Sequence, residues 1–345
     1  MTDQQHTSTI WTDDNLMSLQ SHILAEERHH PSATGDFSWI LSGISLATKT
    51  IASKVRRARI EDVIGDAAGG PFGESGGINV QGEQQLKLDI IANEVIKACL
   101  GSRANIASLV SEEDEEPTIL RSRKEGGRYA VFFDPLDGSS NIDVSVGVGT
   151  IFGIVRLPTI PGVRGTDAIL HEDATMAAAG YVLYGSSTVM VLTTGNGVDM
   201  FVLDQSIGAF VLVKRKLQVP ASQKVYSINE AYASRFPEGV GRYLDWAHAN
   251  DYSSRYIGSM VSDVHRTLLK GGVFIYPQTH DRPEGKLRLL YEAMPMAMLM
   301  EQAGGCAVTG SGRILDVTPN ALHQRVPVIL GSSEEVAHVQ RCIDA

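Results

Sequence analysis

The chain has 345 residues, and its 40 Asp and Glu outnumber 30 Lys and Arg to give a formal net charge of −10 at pH 7. That balance argues against nucleic-acid binding, which needs basic patches; a protein of this charge that handles anionic ligands must gather positive charge locally, through a few Lys or Arg or through metal ions. With 43% hydrophobic and 20% charged residues, no apolar stretch of membrane-span length, a polar start at residues 1–15 unlike a signal peptide, and three cysteines (Cys99, Cys306, Cys342) without C-x-x-C spacing, the composition predicts a cytoplasmic globular protein with reduced thiols and room for two packed halves.

Residues 1–30 are expected to form a flexible tail. A helix is predicted over 37–58, where Ile40, Ile44, Ala47 and Ile51 make one apolar stripe and Lys54, Arg56 and Arg57 suit the C-terminal end. The glycine-dense segment 65–82 has little apolar surface to pack; it reads as a linker or as a mobile loop that closes over a site. A second amphipathic helix opens at Lys87, with Leu88, Ile91, Val95 and Cys99 on its apolar side. Asp89 stands beside that stripe near the helix start, where a lone Asp ordinarily caps or complements the dipole. Residues 107–111 read as a short strand running into the acidic stretch 112–116, ordinarily a solvated loop.

Residues 130–133 read as a buried strand, followed by Asp134-Pro135-Leu136-Asp137-Gly138-Ser139-Ser140-Asn141. Proline and glycine predict a tight turn there, and D-P-x-D-G is ordinary turn chemistry anywhere. Three acidic clusters at element ends, however, point to more than three unrelated loops. Carboxylates held this close repel unless a cation sits between them, and hard oxygen donors suit Mg²⁺ or Mn²⁺. The amides and hydroxyls of Gly138, Ser139 and Ser140 would cradle an anion, and metal beside phosphate is the equipment of phosphoryl chemistry. Downstream, residues 178–183, 188–192 and 209–214 predict an antiparallel sheet. After Val219-Pro220 short strands alternate with helices, among them 229–235, 260–270 and 293–303, the last closed by Gly304-Gly305. Glu292 opens that helix, ordinarily a dipole-stabilised position, and His265 reads as structural because no second histidine stands at ligand spacing.

The chain resembles the class I fructose-1,6-bisphosphatases, within the wider group of metal-dependent, lithium-sensitive sugar phosphatases. The resemblance rests on DPLDGSSNID and continues through SVGVGTIFGI (145–154), YSINEAY (226–232), SRYIGSMVSDVHRTL (254–268), GGVFIYP (271–277) and GKLRLLYEAMPMAMLMEQAGG (285–305). Only the tail and the loop 158–174 look idiosyncratic; that loop holds no cysteine, which argues against the plastid type of thiol switch.

The resemblance implies an α/β fold layered α-β-α-β-α, with two domains whose sheets are sandwiched between helices, here an N-terminal domain 31–218 and a C-terminal substrate domain 219–345. It implies hydrolysis of the 1-phosphate of fructose 1,6-bisphosphate with two or three Mg²⁺ (or Mn²⁺) held by Asp89, Glu112, Glu113, Asp134, the Leu136 carbonyl, Asp137 and Glu292. Asp89 and Glu113 would orient and deprotonate the attacking water. Asp137, Gly138, Ser139 and Ser140 would bind the transferred phosphoryl group. Asn229, Tyr232, Tyr256, Tyr276 and Lys286 would hold the far phosphate, Met260 would line the sugar pocket, and Arg255 would enter a neighbouring subunit's site in a homotetramer. An AMP inhibitory site is implied at Thr34, Gly35, Asp36 and Ser38, completed by Arg128, Tyr129 and Arg156. Scattered tyrosines are otherwise half-buried packing, and Thr34, Asp36 and Ser38 otherwise cap a helix. Asp36, Glu83 and Arg128 stand where the family more commonly has Glu, Asp and Lys. Rival readings are a sedoheptulose-1,7-bisphosphatase, against which Asn141 leans; an inositol-type monophosphatase, which would not need the 229–286 constellation; and a catalytically dead binding protein, which would have lost a metal carboxylate.

Overall fold

The computed structural model describes residues 16–27, 35–65 and 86–345. Thr34, Glu83 and residues 66–82 of the glycine-dense segment lie outside the described residues. Three helices open the fold: α1 (Leu19–Glu27), α2 (Asp36–Arg57) and α3 (Lys87–Gly101). An eight-stranded sheet follows, formed by β1 (Ile106–Ser111), β2 (Thr118–Ile119), β3 (Tyr129–Asp137), β4 (Val148–Arg156), β5 (Thr175–Tyr184), β6 (Thr188–Thr193), β7 (Val198–Asp204) and β8 (Ala209–Lys214), with the short helix α4 (Gly165–Ile169) between β4 and β5. Its order is β2-β1-β3-β4-β5-β6-β7-β8, and only β1 and β3 run parallel.

The second half carries β9 (Val225–Ser227), α5 (Glu238–Ala249), β10 (Ser253–Ser254), α6 (Met260–Lys270), β11 (Val273–Tyr276), β12 (Leu287–Arg288), α7 (Met294–Gln302), β13 (Cys306–Val308), β14 (Arg325–Val326), β15 (Val328–Gly331) and α8 (Ser333–Asp344). Its main sheet has the order β10-β9-β11-β15-β13, with β12 and β14 as a separate pair.

Three apolar clusters define five layers. Helices α1–α3 cover one face of the large sheet, meeting Val131, Phe133 and Ile154. The opposite face, through Ala130, Phe132, Ile151 and Tyr181, packs on α6 and α7, which also meet Phe274 and Leu330 of the second sheet. Helices α5 and α8 cover that sheet's far side at Tyr226, Ile275 and Ile329. The order is therefore α-β-α-β-α, as the resemblance implied. Because β3 is covered on both faces, its first five residues are apolar without alternation.

Four local expectations are corrected. Residues 19–27, expected within the tail, form a helix because Leu19 and Ile23, one turn apart, bury their side chains and His22 Nε2 pairs with Asp199 Oδ2 at 2.9 Å. The buried face of α3 is rotated from the predicted stripe: Leu88, Ala92, Ile96 and Leu100 are buried, while Ile91, Val95 and Cys99 flank them half-buried. That rotation carries Asp89 into the interior at 3% exposure. The segment 229–235 coils as a 3-10 helix (Glu230–Arg235), and the predicted helix 293–303 is α7 preceded by one π-helical turn, Leu289–Ala293. His265, on α6, places its Nδ1 2.7 Å from the Tyr181 hydroxyl. All three cysteines are free thiols.

Candidate active site

Strand β3 does not turn at Asp134; it continues to Asp137 with a bulge between the two aspartates. The bulge keeps the chain in the sheet while re-aiming both carboxylates to one side. The Asp134 carboxylate accepts the Leu136 N–H at 2.9 Å, and the Thr150 hydroxyl of β4 donates to the Pro135 carbonyl at 2.8 Å. The turn begins at Gly138, whose φ of 74° is left-handed and whose Cα lies so near Ser259 that a Cβ would meet its hydroxyl at 2.9 Å. A 3-10 turn, Ser139–Asn141, follows, and its first amides have no intrahelical acceptor.

These elements border a cavity of about 380 Å³. It gathers acids from five places: Asp89 from α3, Glu112 and Glu113 from the end of β1, Asp134 and Asp137 from β3, Asp263 from α6, and Glu292 from the π turn. Leu136, Gly138, Ser139, Ser140, Tyr256, Met260, Tyr276 and Lys286 complete the predicted set that lines it. Asp89 keeps its ordinary capping role as well, accepting the Leu86 N–H at 2.9 Å. Tyr232 lines an adjoining cavity of about 210 Å³ that shares Tyr276 and Lys286. Asn229 lines neither; it caps the 3-10 helix through Ala231 N–H at 3.2 Å and bonds the Tyr256 side chain. Arg255 is exposed and also lines neither, its guanidinium donating to the Ser254 carbonyl at 2.7 Å.

Oxygens of Asp134, Asp137 and Glu292 lie within 4.8 Å of one another, and all three residues are buried. Burial pushes the Asp137 carboxyl up to about 7, with Glu292 adding repulsion. Asp134 is raised well above the usual carboxylate range by burial and by Glu112 and Asp137 beside it. Asp89 rises to about 7, through burial and the nearby Glu113 charge. A group of desolvated acids in hard-oxygen company, each held back from ionising, is the donor chemistry of a divalent cation, so the residues fit the implied metal.

Arg288 escaped the sequence reading. It is buried in the same cavity, with its guanidinium 2.7 Å from Glu112 Oε1 and 3.8 Å from Glu292 Oε2, and its backbone N–H donates to Glu292 at 2.6 Å. It offsets, without removing, the rise that burial imposes on Glu112, whose carboxyl stands at about 8. The available signal was an arginine two residues beyond Lys286, directly before an apolar run.

At the other end of β3, Tyr129 and Arg156 are paired across strands. Arg156 lies 5.8 Å over the Tyr129 ring, and Phe37 of α2 contacts the same ring at 6.1 Å. Gly35 precedes α2, Ser38 is in its first turn, and Arg128 adjoins Tyr129. Asp36 begins α2 in the backbone.

The model of the fructose-1-6-bisphosphatase N-terminal domain matches residues 17–215, and that of the C-terminal domain matches 219–344. The chain is similar to the fructose-1,6-bisphosphatase class 1 of Chlorobium chlorochromatii, 46% identical with 93% of this chain and 96% of the relative covered, and to that of Chlorobium luteolum, 47% identical with the same coverage. It superposes on Leishmania major fructose-1,6-bisphosphatase in holo form with a TM-score of 0.88 at 42% identity, covering 96% of this chain and 99% of that one. The T-state crystal structure of the Leishmania enzyme gives 0.82 at 40% identity, covering 96% and 99%. With both domain models matched in order, relatives aligned nearly end to end, and the acids of DPLDG meeting Glu292 in one cavity, the chain belongs to the fructose-1,6-bisphosphatase family.

Proposed function

We propose that this chain hydrolyses the 1-phosphate of D-fructose 1,6-bisphosphate, giving fructose 6-phosphate and inorganic phosphate. The observation that carries it is the meeting of Asp134, Asp137 and Glu292 within 4.8 Å, beside the Ser139–Asn141 turn. Asp89, Glu112, Glu113, Asp134, the Leu136 carbonyl, Asp137 and Glu292 would hold two or three divalent ions, Mg²⁺ with Mn²⁺ as the alternative. When bound, such ions lower the pKa of water and neutralise charge on the phosphoryl oxygens.

The chain's own groups do the rest. Asp89 and Glu113 orient a water and take its proton as its oxygen bonds to phosphorus and the bond to the sugar oxygen breaks, the departing sugar oxygen taking up a proton from solvent. The amides and hydroxyls of Gly138, Ser139 and Ser140 hold the transferred group. Tyr256, Tyr276, Lys286, Tyr232 and Asn229 grip the far phosphate, which is bound and not cleaved, and Met260 walls the sugar. Arg255 reaches the neighbouring subunit's site in a homotetramer, which accords with its absence from the cavity of its own chain. A domain division near residue 218 puts the bulged strand on one side and the far-phosphate grip on the other.

AMP is the proposed inhibitor. Its site would lie at Thr34, Gly35, Asp36 and Ser38 with Arg128, Tyr129 and Arg156, supported by the Arg156–Tyr129–Phe37 stack at the start of α2. From Tyr129 to Asp134 is five strand residues, ~17 Å at strand rise, so the two sites share β3 and do not overlap.

Phosphate release from fructose 1,6-bisphosphate, sedoheptulose 1,7-bisphosphate and inositol 1-phosphate, each with and without Mg²⁺, tests the activity. Mg²⁺-dependent release with the highest kcat/KM on fructose 1,6-bisphosphate is expected. Preference for inositol 1-phosphate would overturn it.

A further inference from the structure

The loop joining β10 to α6 carries Tyr256 into the cavity and delivers the start of α6 to Asp137. Loops are usually the mobile part of a site, so something must fix this one. At its centre is Asp263, 1% exposed, in the first turns of α6. One carboxylate oxygen accepts the Ser227 hydroxyl at 2.7 Å and the Ile257 N–H at 2.9 Å; the other accepts the Gly258 N–H at 3.0 Å.

What this ties down reaches both ends of the cavity. Ser227 closes β9, two residues before Asn229, whose side chain bonds Tyr256. The Gly258 carbonyl accepts the Asn141 side-chain amide at 3.0 Å, which secures the 3-10 turn after Gly138. Val261 N–H donates to Asp137 at 2.8 Å, so the same helix start orients that carboxylate. We infer that Asp263 is a positioning residue: it lines the cavity, but its carboxylate is engaged by Ser227, Ile257 and Gly258, and through them it sets the distance between the far-phosphate grip and Asp137. The inference rests on the proposed activity. The geometry fits a substrate with two anionic ends, because a rigid spacing between two grips selects ligand length and pre-organises the attack.

The full chain with Mg²⁺ tests this in four forms: wild type, Asp263→Asn, Ser227→Ala and Ser332→Ala. Ser332 bonds Pro220 and Gly272 away from the cavity and serves as a buried control. Kinetics on fructose 1,6-bisphosphate and calorimetric titration with fructose 6-phosphate are the readouts. Asp263→Asn keeps the shape but presents an amide to N–H donors. It should raise KM and weaken fructose 6-phosphate binding about tenfold, and raise the half-saturating Mg²⁺ severalfold. Ser227→Ala should shift all three less, in the same sense, while Ser332→Ala lowers only the melting temperature. If Asp263→Asn melts earlier yet keeps wild-type KM, product affinity and Mg²⁺ requirement, its role is structural and the inference is overturned. If Asp263→Asn does not fold, Ser227→Ala decides by the same criterion. A wild type that releases no phosphate defeats the activity itself; an active wild type with unchanged variants defeats only the positioning role.

Discussion

At the level of single residues, the cavity holds six buried acids, Asp89, Glu112, Asp134, Asp137, Asp263 and Glu292, against one buried guanidinium, Arg288. Removing a metal donor should therefore cost catalysis far more than folding. Asp134→Asn or Glu113→Gln is expected to lower kcat about 10³-fold or more, with a circular-dichroism spectrum and melting temperature close to wild type; near-normal Mg²⁺-dependent turnover in Asp134→Asn would contradict its assignment. The pH dependence has a definite sign. Asp89, Asp137 and Glu112 have folded pKa values of about 7, 7 and 8, all above their ordinary values. The metal-free fold thus holds protons that the unfolded chain releases, so this contribution to stability is full below pH ~4 and lost as pH rises through ~7–8. Cation binding must expel those protons. Mg²⁺ affinity should rise from pH 6 to 8.5, with proton release seen as a buffer-dependent heat in calorimetry, and a pH-independent affinity would refute the picture. Asp134 and Asp137 were legible because both acids and the turn that follows them sit in one short run. Arg288 and Asp263 were not, because their partners lie far along the chain or are backbone amides that any residue supplies.

At the level of elements, the sequence correctly marked where β3 starts, through its uninterrupted apolar run, but not where it ends. D-P-x-D-G reads as a turn locally; pairing with β4 overrides that preference and yields a bulge instead. Beside the bond from Leu136 N–H to Asp134, the bulge is supported from the neighbouring strand by one side chain. Thr150 Oγ1 donates to the Pro135 carbonyl and lies 2.8 Å from the Tyr184 hydroxyl. Thr150→Val keeps the volume and leaves both buried partners short of a bond. Loss of about 2 kcal/mol in denaturant unfolding is expected, together with a higher Mg²⁺ requirement, because Asp134 and Asp137 flank Pro135. An unchanged Mg²⁺ requirement would show that the bulge is held by the sheet alone. The rotation of α3 is a similar lesson: several apolar residues spread around the helix left its buried face ambiguous, and packing on α2 and the large sheet chose the face that includes Asp89.

At the level of the whole molecule, the five layers were legible only through the resemblance, since periodicity marks faces but not which sheet they meet. AMP should inhibit the wild type without competing with substrate, and Arg156→Ala should raise the half-inhibitory concentration at least tenfold; strictly competitive inhibition would remove the distant site. Arg255→Ala should weaken substrate binding more than it slows saturated turnover, and a fully active monomer by sedimentation at assay concentration would contradict a shared site. The proposed cation donors come from both sheets' surroundings: Asp134 and Asp137 extend from the first half, and Glu292 rides on a π turn of the second. Chemistry here works as a caliper laid across the molecule. With Glu292 as a proposed donor, a tilt of one half by a fraction of an ångström would change the gap between its jaws before any contact within either half is broken, so a shift of the halves should read out as a change in turnover.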